Sequence, residues 1–465
     1  VSRHILTLLI SVSGLAVSAL APAHAETMAQ ALASAYANNP QINAARAGLR
    51  ATDEYVPQAK AALRPQISAY TTGTANTTRT QSPSTSGVPV TANTFQYSNG
   101  LQATQTLFQG FRNRNAINEA DANVLSSRAS LENTVQTVLY DAAQSYLNVV
   151  YDQAVLQLNR NDVTYLQREL QAAEDQFKVG ESTRTDVAQA RSQLSTAISN
   201  VSSAEATLKQ DQATYRQLVG HDPVNLRSEF PFESRLPRSV SEAANVAIKE
   251  HPSVLSASYA VDAANFAVKQ AEGLLLPTIT LQGTAEHTGG SVNELGQSSH
   301  QFTNEAQVVG QISIPLYAGG AYASQIRQAK ETLGQRKIQV DQARDQVRQA
   351  AVASFGNLAA AKASITAATA AVQAEQIAVS GVEEEQKVGQ RTLLDVLDER
   401  QNLLNAQVQV VSGQRNRGLA SLALLQATGR LGLDHLNLPA TAYKPQSHYQ
   451  AVKDKWGGLR TPDGR

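Results

Sequence analysis

Two short stretches hold the residues whose types and spacing could do chemistry. One reads Lys178-Val179-Gly180 and then Thr183-x-x-Asp186. The other reads Lys387-Val388-Gly389-Gln390-Arg391-Thr392-x-x-Asp395-x-x-Asp398. A threonine three residues ahead of a carboxylate is a capping-box pattern, and a carboxylate in a first helical turn also meets the helix dipole. For Asp186 and Asp395 that cap is the plainer reading. Asp398 has less reason to cap, and it shares a helix face with Asp395, where two carboxylates can attract cations. Arg391 is either a solvated cation or a partner for a carboxylate. Catalytic chemistry has no foothold elsewhere. The eight histidines show no metal-ligand spacing, no H-E-x-x-H, G-x-S-x-G or phosphate-loop motif occurs, and there is no cysteine. The expectation is a protein that is not an enzyme and needs no cofactor or metal.

The elements that must position these stretches are long helices. Residues 111–178 contain neither Gly nor Pro, which allows a helix roughly 100 Å long. Residues 321–387 lack Pro and include Gly334, Gly356 and Gly381. Ile117, Val124, Leu131 and Val138 recur every seventh position, as do Ile326, Leu333, Val340 and Val347. The return legs repeat the spacing, Val187 to Tyr215 in one and Val396 to Leu424 in the other, with Arg417 breaking the second seam. A strict heptad imposes a left-handed supercoil. Gly180 and Gly389 suit left-handed C-terminal caps, so each marks the tip of a helical hairpin. Arg417 reads as a snorkelling side chain.

The whole pattern occurs twice. Asn39-Pro40 matches His251-Pro252, Leu107-Phe108-Gln109-Gly110 matches Leu316-Tyr317-Ala318-Gly319, and the two Lys-Val-Gly tips match each other. The first repeat spans 26–220, with a helix, a β-hairpin over 66–107, a long helix over 111–178 and a return helix over 182–219. A linker covers 221–239. The second repeat spans 240–430, with a helix, a hairpin over 278–316, a long helix over 321–387 and a return helix over 391–428. Residues 431–465 are expected to form a belt segment and a flexible tail. The fold class is mostly α with a small β part, as tandem repeats of antiparallel coiled-coil helices. The hairpins alternate with period two, cleanly in Ile279, Leu281, Gly283 and Ala285, as membrane strands and soluble hairpins both do. Four strands cannot close a barrel, and lipid forbids an open edge. If these strands span a membrane, several chains must share one barrel. Phe108, Phe111 and Tyr317 fall where strand meets helix, either as interface aromatics or as ordinary packing.

Composition narrows the setting. Thirty-nine Lys and Arg balance thirty-nine Asp and Glu, so nothing marks a nucleic-acid partner. Residues 1–25 read as a secretory signal peptide, with Arg3 and His4, an apolar run and Ala23-His24-Ala25 as cleavage site. Beyond it no apolar run is long enough for a membrane helix.

In this order the tandem unit, the Pro-led hairpins, Pro315-Leu316-Tyr317-Ala318-Gly319-Gly320 and the second tip resemble the TolC family of outer-membrane efflux and type I secretion channels, over nearly all of residues 26–435. The resemblance implies a homotrimer, with each chain contributing four strands to a transmembrane β-barrel and its helices to a periplasmic α-barrel. It implies a passive exit duct in contact with outer-membrane lipid, served by a periplasmic adaptor and an inner-membrane transporter of the ABC or RND class. The tips Lys178, Val179, Gly180, Lys387, Val388 and Gly389 would dock the adaptor. Asp186, Gln386 and Arg391 match a periplasmic gate, with Gln386 standing where the family usually has tyrosine. Asp395 and Asp398 match a constriction whose carboxylate ring favours cations. Relatives in drug efflux often carry a lipidated cysteine; its absence tilts the resemblance towards the secretion branch. Two other readings are a trimeric coiled-coil surface protein or adhesin, disfavoured by internal hairpins, and a periplasmic scaffold.

Overall fold

The computed structural model describes residues 25–81, 89–294 and 297–464; the leader expected over 1–25 lies, but for its last residue, outside them. In chain order the elements are α1 Met28–Asn38, α2 Pro40–Asp53, α3 Tyr55–Ala61, β1 Gln66–Thr80, β2 Val90–Gln109, α4 Arg112–Val179 and α5 Arg184–Val219. There follow α6 Val240–Glu250, α7 Pro252–Glu272, β3 Thr278–Glu294, β4 Gln297–Ser313, α8 Ala321–Lys387, α9 Leu393–Ala427, α10 Leu433–Leu436 and α11 Pro445–Val452.

The single helix expected ahead of each hairpin is in fact divided. Asn39 and His251 take the same extended conformation, each side chain accepts a hydrogen bond two residues on, and Pro40 and Pro252 open the next helix. Proline lacks the N–H that a continuing helix needs, but it fits a first turn, so each helix stops and restarts there.

The four strands form one antiparallel sheet in the order β1-β2-β3-β4. Its register gives two unlike faces. Ile67 pairs with Ala103, Ala103 with Gly283 and Gly283 with Val308, so one row is apolar. Ile67 and Val308 are each 75% exposed, which leaves this face bare in the protomer. A neighbouring row on the other face runs Tyr70, Gly100, Glu286, Glu305. There Tyr70 Oη donates to Glu286 Oε2 at 2.9 Å and Thr288 Oγ1 to Glu286 Oε1 at 3.0 Å. The outer edges of β1 and β4 carry no further strand among the described residues.

The chain clusters into two compact units that cut across the tandem repeats, because each unit takes matching segments from both. One comprises residues 25–32, Ala142–Pro231 and Ala368–Arg415. Its core includes Leu166, Ala173, Ala190, Ala197, Leu393 and Leu397, drawn from α4, α5 and α9. The other comprises Ala33–Asp141, Phe232–Ala367 and residues 416–464. It holds the sheet and a core of small residues, among them Ala243, Ala247, Ala351, Ala420 and Leu424. The heptad positions Val124, Leu131, Val138, Val340 and Val347 are buried. Arg417 carries its partly exposed head out to the linker, where Nη2 lies 3.2 Å from Glu233 Oε1, so the seam's one cation meets a carboxylate.

The C-terminal tail differs from expectation. Instead of a flexible end, α11 packs on α2 and buries Val452 completely. His448 Nδ1 lies 2.9 Å from Asp53 Oδ2, and Tyr449 Oη donates to Asp121 Oδ1 at 2.7 Å. Upstream, Arg46 sits between the rings of Tyr36 and Tyr443, at 4.6 and 5.2 Å. These polar and cation–π contacts leave no apolar periodicity in the tail, which is why its sequence reads as unstructured.

Candidate functional site

The two tips are built alike. Gly180 and Gly389 take φ of 85° and 77°, a region that costs other residues roughly 1–2 kcal/mol. The turn lets Gly180 N–H donate to Phe177 O at 3.1 Å and Glu181 N–H to Gln176 O at 2.9 Å. In the second tip Gly389 N–H donates to Gln386 O and Gln390 N–H to Glu385 O, both at 2.9 Å. These bonds satisfy the last carbonyls of α4 and α8.

Each return helix then starts on a complete capping box. Thr183 Oγ1 accepts from Asp186 N–H at 3.2 Å, while Asp186 Oδ2 accepts from Thr183 N–H and Oγ1–H, both at 2.8 Å. Asp395 repeats this with Thr392, at 2.9 and 2.8 Å. The backbone N–H of the threonine, and then its hydroxyl, hold both carboxyls below the usual range. Ser182 Oγ also donates to Asp186 Oδ2, at 3.2 Å. These bonds to Asp186 all fall on Oδ2, so the cap leaves Oδ1 for another donor.

Arg391 Nε donates to Glu385 Oε2 at 2.9 Å, between two half-exposed side chains. Among the described residues no ion pair joins Arg391 to Asp186 within the protomer. Gln386 is half-buried and Asp398 is exposed. Lys178 and Lys387 are bound to carboxylates three residues back, Asp175 at 2.8 Å and Glu384 at 2.7 Å. At the apices Val179 and Val388 are 71% and 70% exposed, so each tip offers one bare aliphatic side chain. At the strand–helix junction Phe108 and Phe111 meet edge to face at 5.2 Å, and Tyr317 is exposed.

Local spacing gives no sign of one further cluster. Tyr165 of α4 donates to Glu383 of α8 at 3.2 Å, and Arg400 of α9 stacks its Cζ 4.2 Å from the Tyr165 ring. Burial and the nearby carboxylates push the Tyr165 phenol well up, and burial also raises Glu169 beside it. The group ties the first hairpin to the second. Its only sequence signal is an aromatic in helices that have few, in a chain with 5% aromatics.

Deeper in the same unit, Asp152 of α4 is buried beside Asp211 of α5. Burial first, and then the second carboxylate, push its pKa up to about 6.

Comparison with known proteins bears on this geometry. The family model described as outer membrane efflux protein matches residues 31–221 and 243–430. The outer membrane efflux protein BepC of Brucella suis biovar 1 is 42% identical over 95% of this chain and 93% of its own length. The outer membrane protein TolC of Escherichia coli (strain K12) is 27% identical over 96% and 90%. The alkaline protease secretion protein AprF of Pseudomonas aeruginosa is 25% identical over 79% and 77%. Among solved structures, the outer membrane channel CmeC of Campylobacter jejuni superposes with a TM-score of 0.73 at 16% identity, covering 92% of this chain and 89% of that one.

Proposed function

The chain belongs to the outer membrane efflux protein family and is an outer-membrane channel of the TolC type, not an enzyme; from that premise we propose how it is assembled and gated. Three copies share one barrel. The sheet supports this, because it has an apolar face and two open edges, and backbone polar groups at an open edge cannot be left in lipid. Joining β4 of one copy to β1 of the next removes every edge. The duct is passive and serves a tripartite efflux or type I secretion system, with an inner-membrane transporter of the ABC or RND class supplying energy. A periplasmic adaptor meets the tips at the exposed Val179 and Val388, whose flanking Lys178 and Lys387 already have carboxylate partners.

The gate is a set of polar links between neighbouring copies at Asp186, Gln386 and Arg391. The observation that carries this is the unused half of each partner. Capping occupies only Oδ2 of Asp186, and Glu385 engages only Nε of Arg391, whose guanidinium has five N–H donors. Asp186 therefore caps its helix and still offers Oδ1 to the next copy. Gln386, where the family usually has tyrosine, gives an amide in place of a ring. Single-channel current in a planar bilayer, wild type beside Arg391→Ser, tests the reading. Small cation-selective steps that grow in the variant support the gate. Steps of unchanged size discard it and keep the channel.

A further inference from the structure

The segment that follows α11 is fastened just ahead of the first strand of the sheet. Arg64 stands two residues ahead of β1, and the preceding Leu63 is tied to the sheet because Gln105 Nε2 of β2 donates to its carbonyl at 2.8 Å. The C-terminal segment is fastened to this corner. Arg64 Nη1 donates to Lys455 O at 2.7 Å, Arg64 Cζ lies 4.5 Å from the Trp456 ring, and Lys60 Nζ pairs with Asp454 Oδ1 at 2.6 Å. Gly458, at φ 101°, turns the chain, and Lys455 Nζ closes the loop on Arg460 O at 2.7 Å.

This closed and fastened loop displays its two large apolar residues outward. Trp456 is 75% exposed and Leu459 104% exposed, although the backbone around them is held in place. The loop carries Lys453, Lys455 and Arg460 and the corner Lys60 and Arg64, five cations against Asp454 within the loop and Asp463 three residues beyond it. An exposed indole beside a cluster of Lys and Arg is the combination that partitions to a bilayer interface. There the ring sits among the headgroups and the cations meet phosphate. Ile67, which opens the bare apolar face of the sheet, follows Arg64 by three residues.

We propose that Lys453–Arg460 is a membrane-interface anchor. Trp456 and Leu459 enter the headgroup layer of the leaflet at the helical end of the barrel, and the surrounding cations bind phospholipid phosphates. The anchor rests on the sheet's standing in the outer membrane and adds a second contact with lipid, outside the barrel wall.

Trp456 is the only tryptophan in the chain, so its fluorescence reports the anchor alone. The test uses full-length protein in vesicles of phosphatidylethanolamine and phosphatidylglycerol, with embedding established by flotation after an alkaline carbonate wash. The expected result is blue-shifted emission, most of it lost to phospholipids brominated near the headgroup and little of it to aqueous iodide. Lys453→Glu with Lys455→Glu should weaken that quenching and leave the single-channel steps unchanged. Emission quenched by iodide and not by lipid puts Trp456 in water and overturns the anchor. Blue-shifted emission that neither quencher reaches puts it under a neighbouring copy and overturns it too. Protein lost in the carbonate wash defeats the membrane placement of the sheet and the anchor with it, whereas embedded protein with an unquenched Trp456 defeats the anchor alone.

Discussion

Asp152 shows how a single buried carboxyl sets a pH response. Its folded pKa is raised from 3.8 to about 6, so the folded protein holds a proton that the unfolded chain has already released. The stability tied to that proton is fully present below 3.8 and is lost as pH rises through about 6. Asp152→Asn keeps the shape and cannot ionise. Thermal melts should therefore show the variant more stable than wild type at neutral pH, with the gap closing in acid; a gap independent of pH would mean that Asp152 does not titrate in this window. Residues at this scale were legible only where their chemistry is local. The Thr183–Asp186 and Thr392–Asp395 caps stand three residues apart and could be read from the chain. Tyr165 and Glu383 lie 218 positions apart, and only the packed hairpins bring them together.

At the scale of elements, each tip turns on one glycine. Gly389→Ala puts a side chain at φ 77°, with nothing within 4 Å to clash, so the cost is purely conformational. It should be about 1–2 kcal/mol. Hydrogen exchange of the tip amides around 385–392 should speed up while the buried heptad positions near Val340 keep their protection; unchanged exchange at the tip would show that the turn tolerates the substitution. The long helices and hairpins were legible because a heptad or a two-residue alternation persists over many turns, and noise averages out. Short elements were not. One helix was expected where α1, α2 and α3 stand, although Asn39-Pro40 was in plain view as a repeat landmark. The docking of α11 is not legible because its partners Asp53 and Asp121, like the Tyr36 that Tyr443 meets just upstream, belong to the N-terminal part of the chain.

At the scale of the whole molecule, Asp395 and Asp398 matter through symmetry. In one protomer they are a capping carboxylate and an exposed neighbour one turn on. Around a threefold axis they would form stacked rings of negative charge that favour cations and hold multivalent ones. Replacing both by Ala should lower cation selectivity and relieve block by multivalent cations, read from reversal potentials and titrated block in a bilayer. Persisting block would locate the ring elsewhere. The meeting of α11 with α2 has a consequence of another kind. His448 and Asp53 are 395 positions apart, so Asp53 waits for its partner until that intervening length has been delivered. Contacts of such separation form late and slow the final step. A prematurely ended chain would leave Asp53 without His448, and Arg46 without the Tyr443 ring. The N-terminal helices are thus finished from a distance, when a helix delivered much later arrives to close on them.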